Sequence, residues 1–321
     1  MRFDAKFTAL IAAAAAALAA VAVPAGAETR VTYKSAKTGT SYYQMGVEIA
    51  EAVKAATSGA IIVTLEESQG SVQNVMEVRG RGGDYVFTTP PALVAAAQGA
   101  KGPFEGKGDP KFDEIRALFP IPSLTMHFVL GGADGGGISA LEGRTILIGK
   151  GSFGATEGAK YLTLFGLDGK VTLADAELSN AVAALKNGQI DGFVTAGSWP
   201  APNVIEAAAS MDVSLLSLSD EEIAQTGRAK MVIPAGTYGG QDGDVSTTSL
   251  AVIAYATTAM DEETAYQLTR SFWEKQADLG AVAPWWDGVD QSLMANIAGR
   301  IHPGAVRYYR EIGWALTEAQ Q

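Results

Sequence analysis

One pattern is written twice in this chain, and it constrains the fold more than any other feature. Residues 80–89 read Gly80-Arg-Gly-Gly-Asp84-Tyr-Val-Phe-Thr88-Thr89, and residues 188–195 read Gly188-Gln-Ile-Asp191-Gly-Phe-Val-Thr195. Each follows a stretch with helical spacing, Val72 to Arg79 and Asn180 to Asn187. A helix that stops at glycine, an aspartate in the turn, a short apolar run and a closing threonine are the punctuation of an α/β layer. Its recurrence predicts two similar α/β lobes. Two lobes facing each other make a cleft, the kind of concavity in which small molecules bind.

The N-terminal segment stands apart from that pattern. Arg2 and Lys6 precede an alanine-rich apolar run from Phe7 to Val23, and Ala25-Gly26-Ala27 supplies a small-x-small cleavage site. This predicts a secretory signal peptide cut after Ala27, export to the periplasm, and a mature chain starting at Glu28. No later segment approaches the ~18 uninterrupted apolar residues of a membrane span, so no direct membrane insertion is expected after cleavage. The net charge of −11 argues against nucleic acid as a partner, since binding it takes clustered cations. With no cysteine, disulfides and thiolate metal sites are excluded, and stability must come from core packing.

Along the mature chain, strands and helices alternate. Strands are predicted at Thr29–Ser35, Ile61–Leu65 and Tyr85–Phe87, with a helix over Tyr42–Ala56 between the first two, so parallel pairing is expected. Ile115 to Leu130 reads as two strands broken at Pro120 and Pro122. The rhythm restarts at Thr145–Ile148, and Leu250–Ala256 is positioned to carry the chain back to the first lobe. The expected architecture is an α/β clamshell: residues 28–130 plus 246–321 form one lobe, residues 131–245 the other, and the chain crosses near 130 and 245. Helices over Asp261–Ala277 and Pro303–Trp314 are expected to pack on the first lobe, with Trp285 and Trp286 among them.

Four loops sit where a strand hands over to a helix: Lys37-Thr-Gly-Thr-Ser41-Tyr-Tyr43, Ser68-Gln-Gly-Ser71, Lys150-Gly-Ser-Phe-Gly-Ala-Thr156 and Gly197-Ser-Trp199. Glycine lets the backbone approach a ligand, and Ser or Thr leaves N–H groups and hydroxyls facing the crevice at the carboxyl ends of strands. Taken singly, each loop is explained as a helix cap worth about 1 kcal/mol. Four of them spread over both lobes favour a ligand site. The candidates are Lys37, Gly39, Thr40, Ser41, Tyr42, Ser68, Gly70, Ser71, Gly151, Ser152, Thr156, Ser198 and Trp199, joined by Thr88 and Thr89 from the first copy of the repeat. No loop carries a nucleotide-binding glycine motif, and no serine sits in a nucleophile elbow. Of the two histidines, His127 lies in an apolar strand and reads as core, and His302 precedes Pro303 and reads as helix-start punctuation. No metal, cofactor or enzymatic activity is expected.

Five blocks, in order, carry a resemblance: Lys37-Thr-Gly-Thr-Ser-Tyr-Tyr43, Gly70-Ser-Val-Gln-Asn74, Gly102-Pro-Phe-Glu-Gly106, Ile233-Pro-Ala-Gly-Thr-Tyr-Gly-Gly-Gln-Asp242 and Ile301-His-Pro-Gly-Ala-Val-Arg-Tyr-Tyr309. Over nearly all of residues 29–313 the chain resembles the TAXI family of solute-binding receptors, which serve tripartite ATP-independent periplasmic (TRAP) transporters. The resemblance implies the type II periplasmic-binding-protein fold. It also implies closure on a small carboxylate or amino-acid-like solute, of the glutamate, glutamine or 2-oxoglutarate type, and delivery to an ion-gradient-driven TRAP membrane permease, expected as a fused subunit. By position, Thr40, Ser41 and Tyr42 match the family's first-lobe loop, Ser71 and Asn74 its second, and Gly151, Ser152 and Thr156 the opposing one. Two departures bear on the solute. Lys37 and Thr40 stand where the family carries more glycine, and Ser198 and Trp199 where smaller residues are expected. The alternatives are the binding protein of an ATP-driven importer and, less favoured, an enzyme on the same scaffold with Lys37 or Lys150 as its reactive group.

Overall fold

The computed structural model describes residues 28–132, 135–149 and 153–321, so the cleavage site at Ala27 and the loop residues Gly151 and Ser152 lie outside the described residues. In chain order, the first part contains β1 (Thr29–Lys34), α1 (Ser41–Ala56), β2 (Ile61–Glu66), α2 (Ser71–Glu77), β3 (Tyr85–Thr89), α3 (Pro91–Gln98) and β4 (Ile115–Gly131). Next come β5 (Thr145–Leu147), α4 (Phe153–Leu164), β6 (Thr172–Leu173), α5 (Ala181–Lys186), β7 (Gly192–Gly197), α6 (Pro202–Ser210), β8 (Val213–Leu215), α7 (Asp220–Thr226) and β9 (Ala229–Ile233). β10 (Val245–Thr257), α8 (Glu262–Glu274), α9 (Gln276–Val282) and α10 (Pro303–Glu311) complete the chain.

The strands form one sheet in the order β2-β1-β3-β10-β4-β7-β5-β6, with β8 on β4 and β9 on β10. From either edge, this order reads the same way. β1 pairs in parallel with β2 and β3, β5 pairs in parallel with β6 and β7, and an antiparallel strand follows in each case, β10 beside β3 and β4 beside β7. The two copies of the sequence repeat therefore end in β3 and β7, strands with equivalent places in the two halves. Alternation along β7 sends Phe193 to one apolar cluster and Val194 to the other, on opposite faces of the sheet.

β4 and β10 join the halves. Residues 115–125 of β4 pair with β10, and residues 125–130 pair with β7. Along β10, residues 245–249 pair with β9 and residues 249–257 with β4. Both strands change partners on one rung, where Thr125 faces Ser249. The expected break of β4 at its prolines does not occur. The ladder shifts register between Leu250 and Val252, opposite Leu124 and Ile121, and Pro122 falls inside that shift. A bulge tolerates a residue with no N–H to give. The Pro122 carbonyl is not idle, for it accepts the Tyr42 hydroxyl at 2.8 Å.

The C-terminal helices pack on the first half, as expected. Phe119 of β4 stacks on Phe272 of α8 with centroids 4.0 Å apart. The Trp285 and Trp286 indoles both donate to the buried Glu48 carboxylate of α1, at 3.1 and 2.6 Å. His302 caps α10, its Nδ1 accepting from the Gly304 N–H at 3.2 Å while Nε2–H donates to the Met260 carbonyl at 3.1 Å. A Cβ on Gly304 would lie 2.1 Å from the Glu262 carbonyl oxygen, so only glycine lets α10 approach α8 this closely. Among the described residues, no helix is long and apolar enough to cross a membrane.

Candidate functional site

A cavity of about 590 Å³ lies between the two halves. The first half lines it with Ser35–Tyr42 after β1, Glu67 and Gln69–Ser71 after β2, and Thr88 of β3. Opposite stand Glu177–Ser179, Thr195–Gly197 at the end of β7, Ala201–Asn203 at the start of α6 and Glu206 midway along it. Leu124 and Val252, from the two strands that join the halves, also line it. The site thus lies at the carboxyl ends of parallel strands, where the backbone leaves its sheet and helices begin.

Asn74 fixes the three loops of the first half. It is fully buried, its amide Nδ2 donates to the Ser35 carbonyl at 2.7 Å and to the Thr88 carbonyl at 2.8 Å, and its Oδ1 accepts the Ser68 hydroxyl at 2.5 Å. One side chain so ties the ends of β1, β2 and β3. Tyr33 adds a second tie, its hydroxyl 2.7 Å from Thr88 Oγ1. Burial pushes the Tyr33 and Tyr42 phenols well above their ordinary range, so both stay neutral.

A parallel device serves the second half. The Ala201 N–H, at the start of α6, donates to the Tyr238 hydroxyl at 2.8 Å, and that hydroxyl lies 2.8 Å from His127 Nε2. His127 Nδ1 in turn lies 3.1 Å from the Thr125 carbonyl. Only one tautomer satisfies every group: Nδ1–H donates to Thr125, and Nε2 accepts from Tyr238. Burial holds the His127 pKa down to about 4, which keeps the ring neutral and able to accept. The block around Gly236 therefore supplies, through Tyr238, the group that positions a cavity wall.

Of the residues expected at the site, Lys37, Gly39, Thr40, Ser41, Tyr42, Gly70, Ser71 and Thr88 line the cavity together. Ser68, Asn74 and Thr89 are buried behind that wall, and the Thr89 hydroxyl has no hydrogen-bond partner. Ser198 is buried behind the opposite wall, where its N–H donates to Ser41 Oγ at 3.1 Å. Trp199 packs against the second apolar cluster, and Thr156 lies on α4. Glu67, Glu177, Asn203 and Glu206 on the wall were not anticipated. Glu67 has a local signal, since it adjoins the predicted loop and accepts the Thr38 N–H at 3.1 Å. Glu177 has none, because what places it is Lys37, 140 residues away, whose Nζ forms an ion pair with it across the cavity. Among the described residues, Lys37 is the one cation of the lining, against three carboxylates.

A family model described as the NMT1-like family matches residues 34–313. The chain belongs to the NMT1-like family. Among solved structures, this NMT1-like chain is similar to the periplasmic binding protein BugD, with a TM-score of 0.51 and 11% identity over 84% of this chain and 87% of that one. A TRAP periplasmic solute-binding protein from Desulfovibrio salexigens in complex with diglycerolphosphate gives a TM-score of 0.44 at 10% identity, over 92% and 93% of the two chains. Another from Actinobacillus succinogenes, with bound L-galactonate, gives 0.43 at 14%, over 89% and 95%. The BugD likeness shows the fold: the NMT1-like chain is a two-lobed α/β clamshell, as the repeat predicted, and of the periplasmic-binding-protein type, as the resemblance implied.

Proposed function

We propose that this protein is a periplasmic solute receptor of the TAXI type that delivers its solute to an ion-gradient-driven TRAP permease, acting by binding and not by catalysis. The observation that carries the reading is the cavity, walled by strand-end loops of both halves and bridged by the strands that join them. In this reading the lobes are residues 28–130 with 246–321, and 131–245. The solute docks first against the loop leading into α1, and contacts with the second lobe favour the closed state.

The lining suits a small amino-acid-like solute. Hydroxyls of Thr40, Ser41, Ser71, Thr88 and Thr195, with the N–H groups at the start of α1, suit a carboxylate. Glu67 and Glu206 suit an ammonium. Of the two lysines an enzyme could use as its reactive group, Lys37 is engaged by Glu177, which supports binding over turnover, and Lys150 lies outside the described residues.

A thermal-shift screen of the mature protein tests the solute class. A ligand at ~100 times its dissociation constant adds about 2.7 kcal/mol to the folded state, so glutamate, glutamine or 2-oxoglutarate should raise the melting temperature. If all three leave it unmoved, the solute class is wrong.

A further inference from the structure

The cavity wall contains a bond that does not need a solute. Lys37 Nζ, on the loop leading into α1, is ion-paired with the Glu177 carboxylate at the start of the short helical turn Leu178–Asn180 on the other half. Both residues line the cavity, and both side chains remain partly open to solvent, at 27% and 46% exposure. The loop on the Lys37 side is held in place, since the Lys37 carbonyl accepts the Thr40 hydroxyl at 2.7 Å and the Thr40 N–H at 3.2 Å. The same loop meets the second half again through Ser41, which accepts the Ser198 N–H. Ser41 and Ser198 are buried beside the rung where the sheet changes halves, whereas Lys37 and Glu177 lie on the solvent-reached side of the cavity.

We infer that Lys37 and Glu177 form an ionic latch across the mouth of the cleft. It draws the two lobes together in the absence of solute, and an incoming charged solute must displace it. The inference rests on the two-lobe receptor reading above. An exposed ion pair is a weak bond, so the latch biases the closed state by a factor of up to about five and leaves it easily opened. That weakness suits a gate. A solute with a carboxylate competes for Lys37, one with an ammonium competes for Glu177, and one bearing both replaces the lost pair in full. The bias also makes the resting conformation sensitive to salt, because screening acts on partly exposed pairs.

The absence of cysteine allows a direct test on the mature protein. Glu51→Cys on α1 and Glu221→Cys on α7, both exposed and in opposite halves, accept a pair of spin labels with no background. The interlabel distance distribution is recorded by pulsed electron resonance at salt concentrations of roughly 0.02 and 0.5 M, which span strong and weak screening. With the latch, the distribution changes between low and high salt. The Lys37→Met and Glu177→Gln variants then show the high-salt distribution even at low salt, and the exchanged double variant Lys37→Glu/Glu177→Lys restores the low-salt one. If either single variant coincides with the parent at low salt, there is no latch. Adding L-glutamate to the parent separates the two readings: a response to glutamate but not to salt or substitution overturns the latch alone, and no response to any of these counts against lobe closure itself.

Discussion

At the scale of single residues, the site is held by side chains that do not line it. Asn74 spends its whole amide on three loops, and the Tyr238–His127 pair spends two rings on one backbone N–H at Ala201. His127 gives this arrangement a pH signature. Its folded-state pKa of about 4 lies below the ~6.5 of a histidine in the unfolded chain, so on acidification the unfolded chain takes up the proton first. Its contribution is complete above about pH 6.5 and is lost as the pH falls towards 4. Urea unfolding at pH 7 and pH 4.5 should therefore show the parent losing about 2 kcal/mol more than His127→Gln. His302, whose pKa burial also lowers, is present in both proteins and cancels. That His127 is core was legible from its apolar neighbours. Its partner was not, because Tyr238 lies 111 residues away and no local spacing joins them. The pairing of Lys37 with Glu177 escapes sequence reading for the same reason, although Lys37 itself was expected at the site.

Among the elements, periodic segments were legible and short or compensated ones were not. The buried stripe Met45, Ile49 and Val53 marks α1, and both copies of the repeat end in strands. β4 was read as broken because proline is weighed as a strand breaker, and only the bulge opposite β10 makes Pro122 acceptable. α7 was overlooked although Ser219 and Glu222 form a capping box at its start, a signal present in the sequence. β9 was overlooked too, and its mostly exposed residues show why. The repeat itself makes a prediction at this scale. In the second copy, a Cβ on Gly192 would lie 2.3 Å from the Val129 carbonyl oxygen, so glycine is what lets β7 lie against β4. Gly192→Ala should cost about 1–3 kcal/mol in urea unfolding, the range for overpacking a tight contact. A cost near zero would mean that the two strands separate readily.

For the molecule as a whole, the sequence repeat corresponds to a sheet that reads alike from both edges, with β4 and β10 exchanging halves on the Thr125–Ser249 rung. That rung lies within about five residues of the crossings expected near 130 and 245. The cleft was legible as a consequence of two lobes, and the loops expected to face it were largely those that line it. The carboxylates of its second wall were not, because Glu177 precedes a short helical turn and Glu206 sits midway along α6, places where charge alone does not distinguish them from solvent-facing residues. The central claim is that the lobes close on a solute, and small-angle X-ray scattering with and without the solute that most raises the melting temperature tests it most directly. The account predicts a smaller radius of gyration in the bound protein; an unchanged radius at saturation by a proven ligand would contradict it.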